Sequence, residues 1–315
     1  MKLTNKEIDK IIDRYSLGKI REIKLIKGGN INYNFVFKTE KGEYIVRVLG
    51  YRLDKYWKRQ KELEFKVLDY LIAKKFPYEV PNFLKNNKGK NISEISGKLI
   101  EVYPRIKGNK FVKLNEYQVK EMAKALTVYH KFISGYNFPK KFKRIDDYKW
   151  LAEELKNMNK IKPKNGLDRF MLKHVDTFIE TLNFRNEIKL DHLLIGHHDF
   201  HKWNLLFNND KLVGILDFEN VGYGPRISDI FFDPDNFRHS LLFIKEYNGH
   251  NKLTKNEIDV FIKNKLLGNC YHFRWAYKGT LKNENKRMHQ LKQAVNKYKK
   301  YLEFERILKE KFLHA

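Results

Sequence analysis

Two stretches of this 315-residue chain carry residue types able to do chemistry. The first runs Ile195-Gly-His-His-Asp-Phe-His-Lys-Trp-Asn-Leu-Leu-Phe207; the second, after a short polar turn, runs Leu212-Val-Gly-Ile-Leu-Asp-Phe-Glu219. Together they set Asp199, Asn204 and Asp217 in one ordered series between apolar runs. A carboxylate can orient or deprotonate an attacking hydroxyl, and amide and carboxylate oxygens are hard donors that hold Mg²⁺ against phosphate oxygens. That is the inventory phosphoryl transfer requires. His192, His197, His198 and His201 also offer imidazoles to a transition metal, which is the competing reading of the same stretch.

These side chains need a scaffold, and its elements are marked locally. Thr4-Asn5-Lys6-Glu7 and Thr254-Lys255-Asn256-Glu257 are capping boxes, in which a Thr hydroxyl and a Glu three residues on satisfy free helix N–H groups. Ile8, Ile11, Ile12 and Tyr15 follow the first at helical spacing, with Gly18 as the expected stop. From Arg21 to Leu49 short β-prone runs predict three antiparallel strands, and residues 55–75 return to a helix with Leu63, Val67, Leu68 and Leu71 on one stripe. Two more strands are expected near 82–87 and 98–103. Beyond Gly108 the pattern is mainly helical, interrupted by the β-rich segment 194–218. The tail ends in an amphipathic helix carrying Leu291, Val295, Tyr298, Leu302, Leu308 and Phe312. The predicted architecture is α+β: a small antiparallel β-rich lobe over 1–103 and a larger, mainly α-helical lobe over 104–315.

The series His197-His198-Asp199-Phe200-His201-Lys202-Trp203-Asn204, followed by Ile215-Leu216-Asp217-Phe218, resembles the aminoglycoside phosphotransferase and choline kinase family. These are small-molecule kinases of protein-kinase-like bilobal fold, whose loop commonly reads H-G-D-x-H-x-x-N and continues I-D-F/W-D/E. The resemblance implies Asp199 as catalytic base or hydroxyl orienter, Asn204 and Asp217 as Mg²⁺ ligands, and His197 as an organiser of the loop. It also accounts for the histidine spacing without a transition metal. Gly222-Tyr-Gly-Pro-Arg-Ile-Ser-Asp229 is similar to the family's G-x-G-P-x-x-x-D continuation, which implies Asp229 as a brace for the catalytic loop.

The first lobe adds support in the expected order. Gly28-Gly29-Asn30 looks like the family's nucleotide-covering loop, where glycines let backbone N–H groups approach phosphates. By strand alternation Arg47 shares a face with Ile45 and Leu49, so a cation points where an apolar residue is expected. The resemblance gives it the place of the phosphate-binding Lys, with Arg as a departure that binds as a fork rather than a point. Glu64 is then the carboxylate that pairs with Arg47, and Glu62 is the competing choice. Ile100-Glu101-Val102-Tyr103 resembles the hinge, implying Glu101 and Tyr103 as main-chain contacts to the adenine edge. The nucleotide implied is ATP, with GTP as the alternative.

Composition bounds the partners. Lys+Arg 64 against Asp+Glu 38 gives a net charge of +26, which first suggests a polyanion. The excess is mostly Lys, scattered rather than clustered, and no RNP-like, helix-turn-helix or zinc-finger pattern accompanies it, so no nucleic-acid partner is expected. A single Cys permits no internal disulfide, and no apolar run approaches a membrane span or secretory signal, so a cytoplasmic protein is expected. The rival class is a binding protein: a catalytically silent kinase-like scaffold or a basic nucleic-acid holder. The expected substrates are a nucleoside triphosphate and a small hydroxyl-bearing acceptor of aminoglycoside-, choline- or homoserine-like chemistry. A polycationic acceptor would need an acidic pocket against the trend of the chain.

Overall fold

A computed structural model describes residues 2–26, 31–111, 113–143, 148–189, 191–279 and 283–312. In chain order the first elements are α1 (Asn5–Tyr15), β1 (Ile20–Leu25), β2 (Tyr33–Thr39), β3 (Gly42–Val48), α2 (Lys55–Ala73), β4 (Ile92–Ile95) and β5 (Lys98–Pro104). Then follow α3 (Glu116–Ser134), α4 (Lys149–Asn159), α5 (Gly166–Thr181), β6 (Leu193–Gly196), β7 (Leu205–Asn208), β8 (Lys211–Ile215) and β9 (Gly222–Pro225). The chain closes with α6 (Phe237–His250), α7 (Lys255–Lys278) and α8 (Glu284–Phe312). No helix among the described residues is long and apolar enough to cross a membrane.

The chain divides into two compact units, Met1–Lys113 with His201–Val221, and Leu114–Phe200 with Gly222–Ala315. In the first, β1 to β5 form one antiparallel sheet in the order β1-β2-β3-β5-β4. Alternation sends Phe35, Phe37, Val46, Val48, Ile100 and Val102 to one core with Ile11 and Tyr15 of α1. The register then places Asn34, Arg47 and Glu101 side by side on the opposite face. The hairpin of β7 and β8 joins this unit by backbone bonds. Glu79 N donates to Val213 O at 2.8 Å, Ile215 N to Glu79 O at 2.9 Å, and Asn109 and Phe207 exchange bonds of 2.7 and 2.9 Å.

In the second unit α4, α5, α7 and α8 enclose a core containing Leu155, Met171, Phe178, Cys270, Phe273 and Leu291. Both capping boxes form: Glu7 Oε2 accepts from Thr4 N at 2.9 Å, and Glu257 Oε2 from Thr254 N at 2.9 Å.

Three local readings shift. The first helix ends with Ser16 in the left-handed region (φ 53°), two residues before Gly18. The strand expected at 82–87 forms instead at Ile92–Ile95, because Ser96 and Gly97 (φ 51° and 76°) make the two-residue hairpin turn into β5. Asn86 meanwhile closes its own turn through Lys88 N and Lys90 N, at 2.9 and 3.1 Å. On α8 the buried stripe is Leu291, Ala294, Tyr301, Phe304 and Leu308, while Leu302 is 41% exposed. The step from Tyr298 to Leu302 slips onto the next ridge, since the helix advances by alternating threes and fours.

Candidate active site

In the first unit the site is built around Arg47. The guanidinium is buried on the sheet face opposite α1, where Nε donates to Asn34 Oδ1 at 3.2 Å and Nη1 to Asp217 Oδ1 at 3.4 Å. Glu219 Oε1 lies 3.9 Å from the same nitrogen. Burial alone would lower the guanidinium's pKa, but Tyr103, Asp217 and Glu219 around it hold it well above its usual value. Asp217 follows β8 with φ 64° and ψ 64°, a left-handed conformation that Asp tolerates better than most residues and that recurs at functional sites. Its neighbour Leu216 donates its N–H to the Asn204 carbonyl at 2.7 Å, and Asn204 is 7% exposed. One backbone bond therefore ties the two residues expected to hold Mg²⁺. Their amide and carboxylate oxygens, beside a buried cation suited to phosphate, fit that ion's donor preference.

The partner expected for Arg47 is elsewhere. Glu64 pairs with Lys61, one turn earlier on α2, at 2.8 Å. Lys61 is 3% exposed and also meets Glu101 Oε1 at 2.9 Å and Glu219 Oε2 at 3.4 Å. Arg47 thus takes Asp217 and Glu219 as its acidic partners, and Lys61 gathers Glu64, Glu101 and Glu219. Glu64 is fully buried and Glu62 is partly exposed. Desolvation would lower the Lys61 ammonium, yet Glu101, Glu64 and Glu219 hold it well above its usual value. Burial also raises Glu64, to about 7, against the opposing pull of Lys61. Glu219 is held below the usual carboxylate range despite its burial, because both Lys61 and Arg47 face it.

Glu219 also holds the residues on either side of β2 and β3. It accepts from Asn32 Nδ2 at 2.7 Å and Tyr51 OH at 2.5 Å, while Gln60 Nε2 donates to its carbonyl at 2.8 Å. Gly28 and Gly29 themselves lie outside the described residues. Of the two residues expected to contact the adenine edge, Glu101 lies in register between Arg47 of β3 and Ile92 of β4, and its side chain belongs to Lys61. Pairing with β4 ends there. Tyr103 is paired with Ile45 alone, its ring 5.8 Å from the Arg47 guanidinium.

In the second unit Asp199 follows β6 on a loop clamped from behind. The Asp229 carboxylate accepts the N–H of His197 at 2.8 Å and of His198 at 2.6 Å, and contacts His130 Nε2 at 3.0 Å. The other ring nitrogen of His130 meets Tyr247 OH at 2.7 Å. Burial would raise the Asp229 carboxyl, but the His130 bond and the nearby imidazoles hold it far below the usual range. His197 is fully buried, and its Nδ1 accepts from Asp199 N at 3.3 Å, which orients the loop.

His198 stands where the resembled loop carries Gly, and its φ of 57° explains why Gly is favoured there. Room for its ring comes from Gly196 and Gly224: a Cβ at either would approach His198 Cε1 to 3.0 or 3.2 Å. Gly224→Val is therefore expected to cost about 1–3 kcal/mol through overpacking, and His198→Gly to recover most of it in the double variant. Equal destabilisation in both backgrounds, measured by urea unfolding, would refute that coupling.

Lys61, Glu219, His130 and Tyr247 were not legible as site residues. Lys61 lies in the charged run Lys58-Arg-Gln-Lys-Glu62, which reads as a solvated face, and His130 lies among the apolar positions of α3. Glu219 had a signal, standing two residues beyond Asp217 in the Asp-Phe-Glu series. Trp203, which looks like a packing residue, is 46% exposed.

Residues 22–233 match the sequence profile described as the phosphotransferase enzyme family. The homoserine kinase of Zymomonas mobilis is 26% identical over 278 residues, spanning 82% of each chain. That of Pseudomonas aeruginosa is 24% identical over 231 residues, 72% of this chain and 68% of the relative. Among solved structures, a spectinomycin phosphotransferase in complex with ADP and spectinomycin superposes with a TM-score of 0.72 at 15% identity, covering 97% of this chain and 99% of that one. A microcompartment-associated aminopropanol kinase gives 0.68 at 13% identity, covering 96% and 98%. An amicoumacin kinase complex with AMP-PNP and Ca²⁺ gives 0.67 at 17% identity, covering 96% and 93%.

Proposed function

The chain belongs to the phosphotransferase enzyme family and is a small-molecule kinase, and from that premise we propose that it transfers the γ-phosphoryl group of ATP to an acceptor hydroxyl with Mg²⁺ held by Asn204 and Asp217. The observation that carries this reading is the Arg47–Asp217 pair at 3.4 Å, with Asn204 tied to Leu216. A buried phosphate-binding cation and two hard oxygen donors are what a triphosphate and its metal need. Bound Mg²⁺ would neutralise the charge of the β- and γ-phosphates.

The chain's own residues do the rest. Arg47 binds phosphate oxygens, and Lys61 with Glu64, Glu101 and Glu219 holds the surrounding charge in place. Backbone N–H groups of Gly28 and Gly29 approach the phosphates, and the main chain at Tyr103 receives the adenine edge. Asp199 orients the acceptor hydroxyl and takes its proton as the oxygen bonds to the γ-phosphorus. The bond from that phosphorus to the β–γ bridging oxygen breaks and ADP leaves. Catalysis is then positioning plus charge neutralisation. GTP is the alternative nucleotide, and aminoglycoside-, choline- and homoserine-like compounds are the candidate acceptors.

Thermal unfolding with ATP, with and without Mg²⁺, tests the nucleotide site, and ADP release over an acceptor panel tests transfer. Metal-dependent stabilisation of about 2.7 kcal/mol is expected when nucleotide stands at 100 times its Kd. No stabilisation by any nucleotide would sink the reading. Nucleotide binding without transfer would mark a silent scaffold, and oligonucleotide retention falling steeply with salt would mark a polyanion binder.

A further inference from the structure

Helices α7 and α8 are pinned in antiparallel register by two bonds. Asn269 Nδ2 donates to the Ala294 carbonyl at 2.8 Å, and His272 Nε2 meets Gln290 Oε1 at 3.0 Å. One turn back along α7 from Asn269 stands Lys265, and one turn on along α8 from Ala294 stands Lys297, so the register sets the two lysines against each other. Lys265 is held by a bond beside the catalytic loop, and Lys297 feels the charge of Asp199 on that loop. Lys265 Nζ donates to Ser228 O at 2.8 Å, and the next residue is Asp229, the brace that accepts from His197 N and His198 N. Tyr301, one turn beyond Lys297, packs its ring 4.6 Å from that of Phe232, three residues past Asp229.

Two ammonium groups gathered there run against ordinary charge placement. No carboxylate among the described residues lies within ion-pair distance of either. Asp229, which attracts Lys265, is already satisfied by two backbone N–H groups and His130. Asp199 attracts Lys297, and one carboxylate does not balance two cations. Burial pushes Lys265 down to about 7 with Lys297 adding to the effect, and burial lowers Lys297 as well. An anion between them would relieve both.

We propose that Lys265 and Lys297 form an anion subsite beside Asp199 that receives a carboxylate of the acceptor. The substrate class is then a small hydroxy acid or hydroxyl-bearing amino acid, not a polycationic aminocyclitol. The inference rests on the kinase reading in placing the acceptor hydroxyl at Asp199.

The test measures direct binding to the full chain without nucleotide, by calorimetry, and separately ADP release with ATP and Mg²⁺. The probes are L-homoserine, its amide, the amino alcohol lacking the carboxyl group, a phosphorylated amino alcohol and spectinomycin. Homoserine is expected to bind at least about tenfold more tightly than its amide, the scale of a hydrogen bond to a charged group. Lys297→Met should erase that preference, and Lys297→Arg should keep most of it. Lys265→Met gives the same readout should Lys297→Met not fold. Equal binding of acid and amide overturns the subsite, as does a Lys297→Met effect on the acid and the amide alike. Preference for the phosphorylated probe over the acid overturns the carboxylate assignment. The two readings fail separately: ADP release at equal KM for acid and amide removes the subsite and leaves the kinase, whereas tight acid binding with no transfer to any acceptor does the reverse.

Discussion

Asp217→Ala is expected to lower kcat by about a thousandfold or more and to abolish its dependence on Mg²⁺, because charge neutralisation is the main catalytic contribution in phosphoryl transfer. The effect on folding should be small. Arg47 keeps Asn34 at 3.2 Å and Glu219 at 3.9 Å, so the guanidinium is not left without acceptors. The Asp217 side chain is 34% exposed, which discounts the pair as a source of stability. A loss of about 1 kcal/mol is expected, comparable to one hydrogen bond. Asp217→Asn keeps the volume and one neutral oxygen donor, so it should bind Mg²⁺ more weakly and need more of it to reach a lower plateau. Titrating Mg²⁺ in an ADP-release assay reads this directly. An alanine variant with wild-type turnover, or with an unchanged Mg²⁺ requirement, would show that the metal is held elsewhere.

Lys61→Met should produce the largest loss of stability, about 3–5 kcal/mol, since removing one partner of a buried ion pair leaves the other uncompensated. Here three carboxylates are affected: Glu64 at 2.8 Å, Glu101 at 2.9 Å and Glu219 at 3.4 Å, on residues that are almost wholly buried. The deficit should also depend on pH. Burial raises Glu64 from an ordinary 4.5 to about 7 in the native protein, so between those values the folded state holds a proton that the unfolded state has lost. Its ionisation therefore costs stability as pH rises through that window. Without the Lys61 charge, the carboxyl is pushed higher and the cost grows. Urea unfolding at pH 5 and pH 8 should give the smaller deficit at pH 5, and Glu101→Gln in the same chain should recover part of it. A deficit that is below about 1 kcal/mol, or equal at the two pH values, would mean that water or movement of α2 already compensates the three carboxylates.

Both predictions concern residues that the amino-acid sequence presents very differently. Asp199, Asn204 and Asp217 stand out in the sequence as candidates because their spacing is short and their types are the ones that hold a metal or a hydroxyl. Arg47 was legible because strand alternation puts a cation on a face shared with Ile45. The helices and strands followed from signals that act within four residues: capping boxes at Thr4 and Thr254, the apolar stripe of α2, and period-two runs in β2 and β3. Glu64 was found, but its partner was not, since Lys61 looks like one more solvated lysine in a strongly basic chain.

The net charge of +26 has a similar history. It first suggests a polyanion, and most of the lysines that produce it carry no message beyond solvation. A few do. Lys61 lies inside the acidic cluster of the first unit, and Lys265 and Lys297 stand together at the loop of Asp199, positions no composition can distinguish.

Local spacing thus determined most of the secondary structure, the α+β class and the ordered Asp, Asn and Asp series, but not the place of β4. Tertiary structure decided the charge partners and the register of distant elements. Glu219 meets Lys61 across 158 positions of chain, His130 meets Asp229 across 99, and the segment from His201 to Val221 joins the β-rich unit through bonds to Glu79 and Asn109. The physical reason is that capping and amphipathic alternation are set by near neighbours, whereas the energy of a charge depends on burial and on what folding brings within a few ångströms.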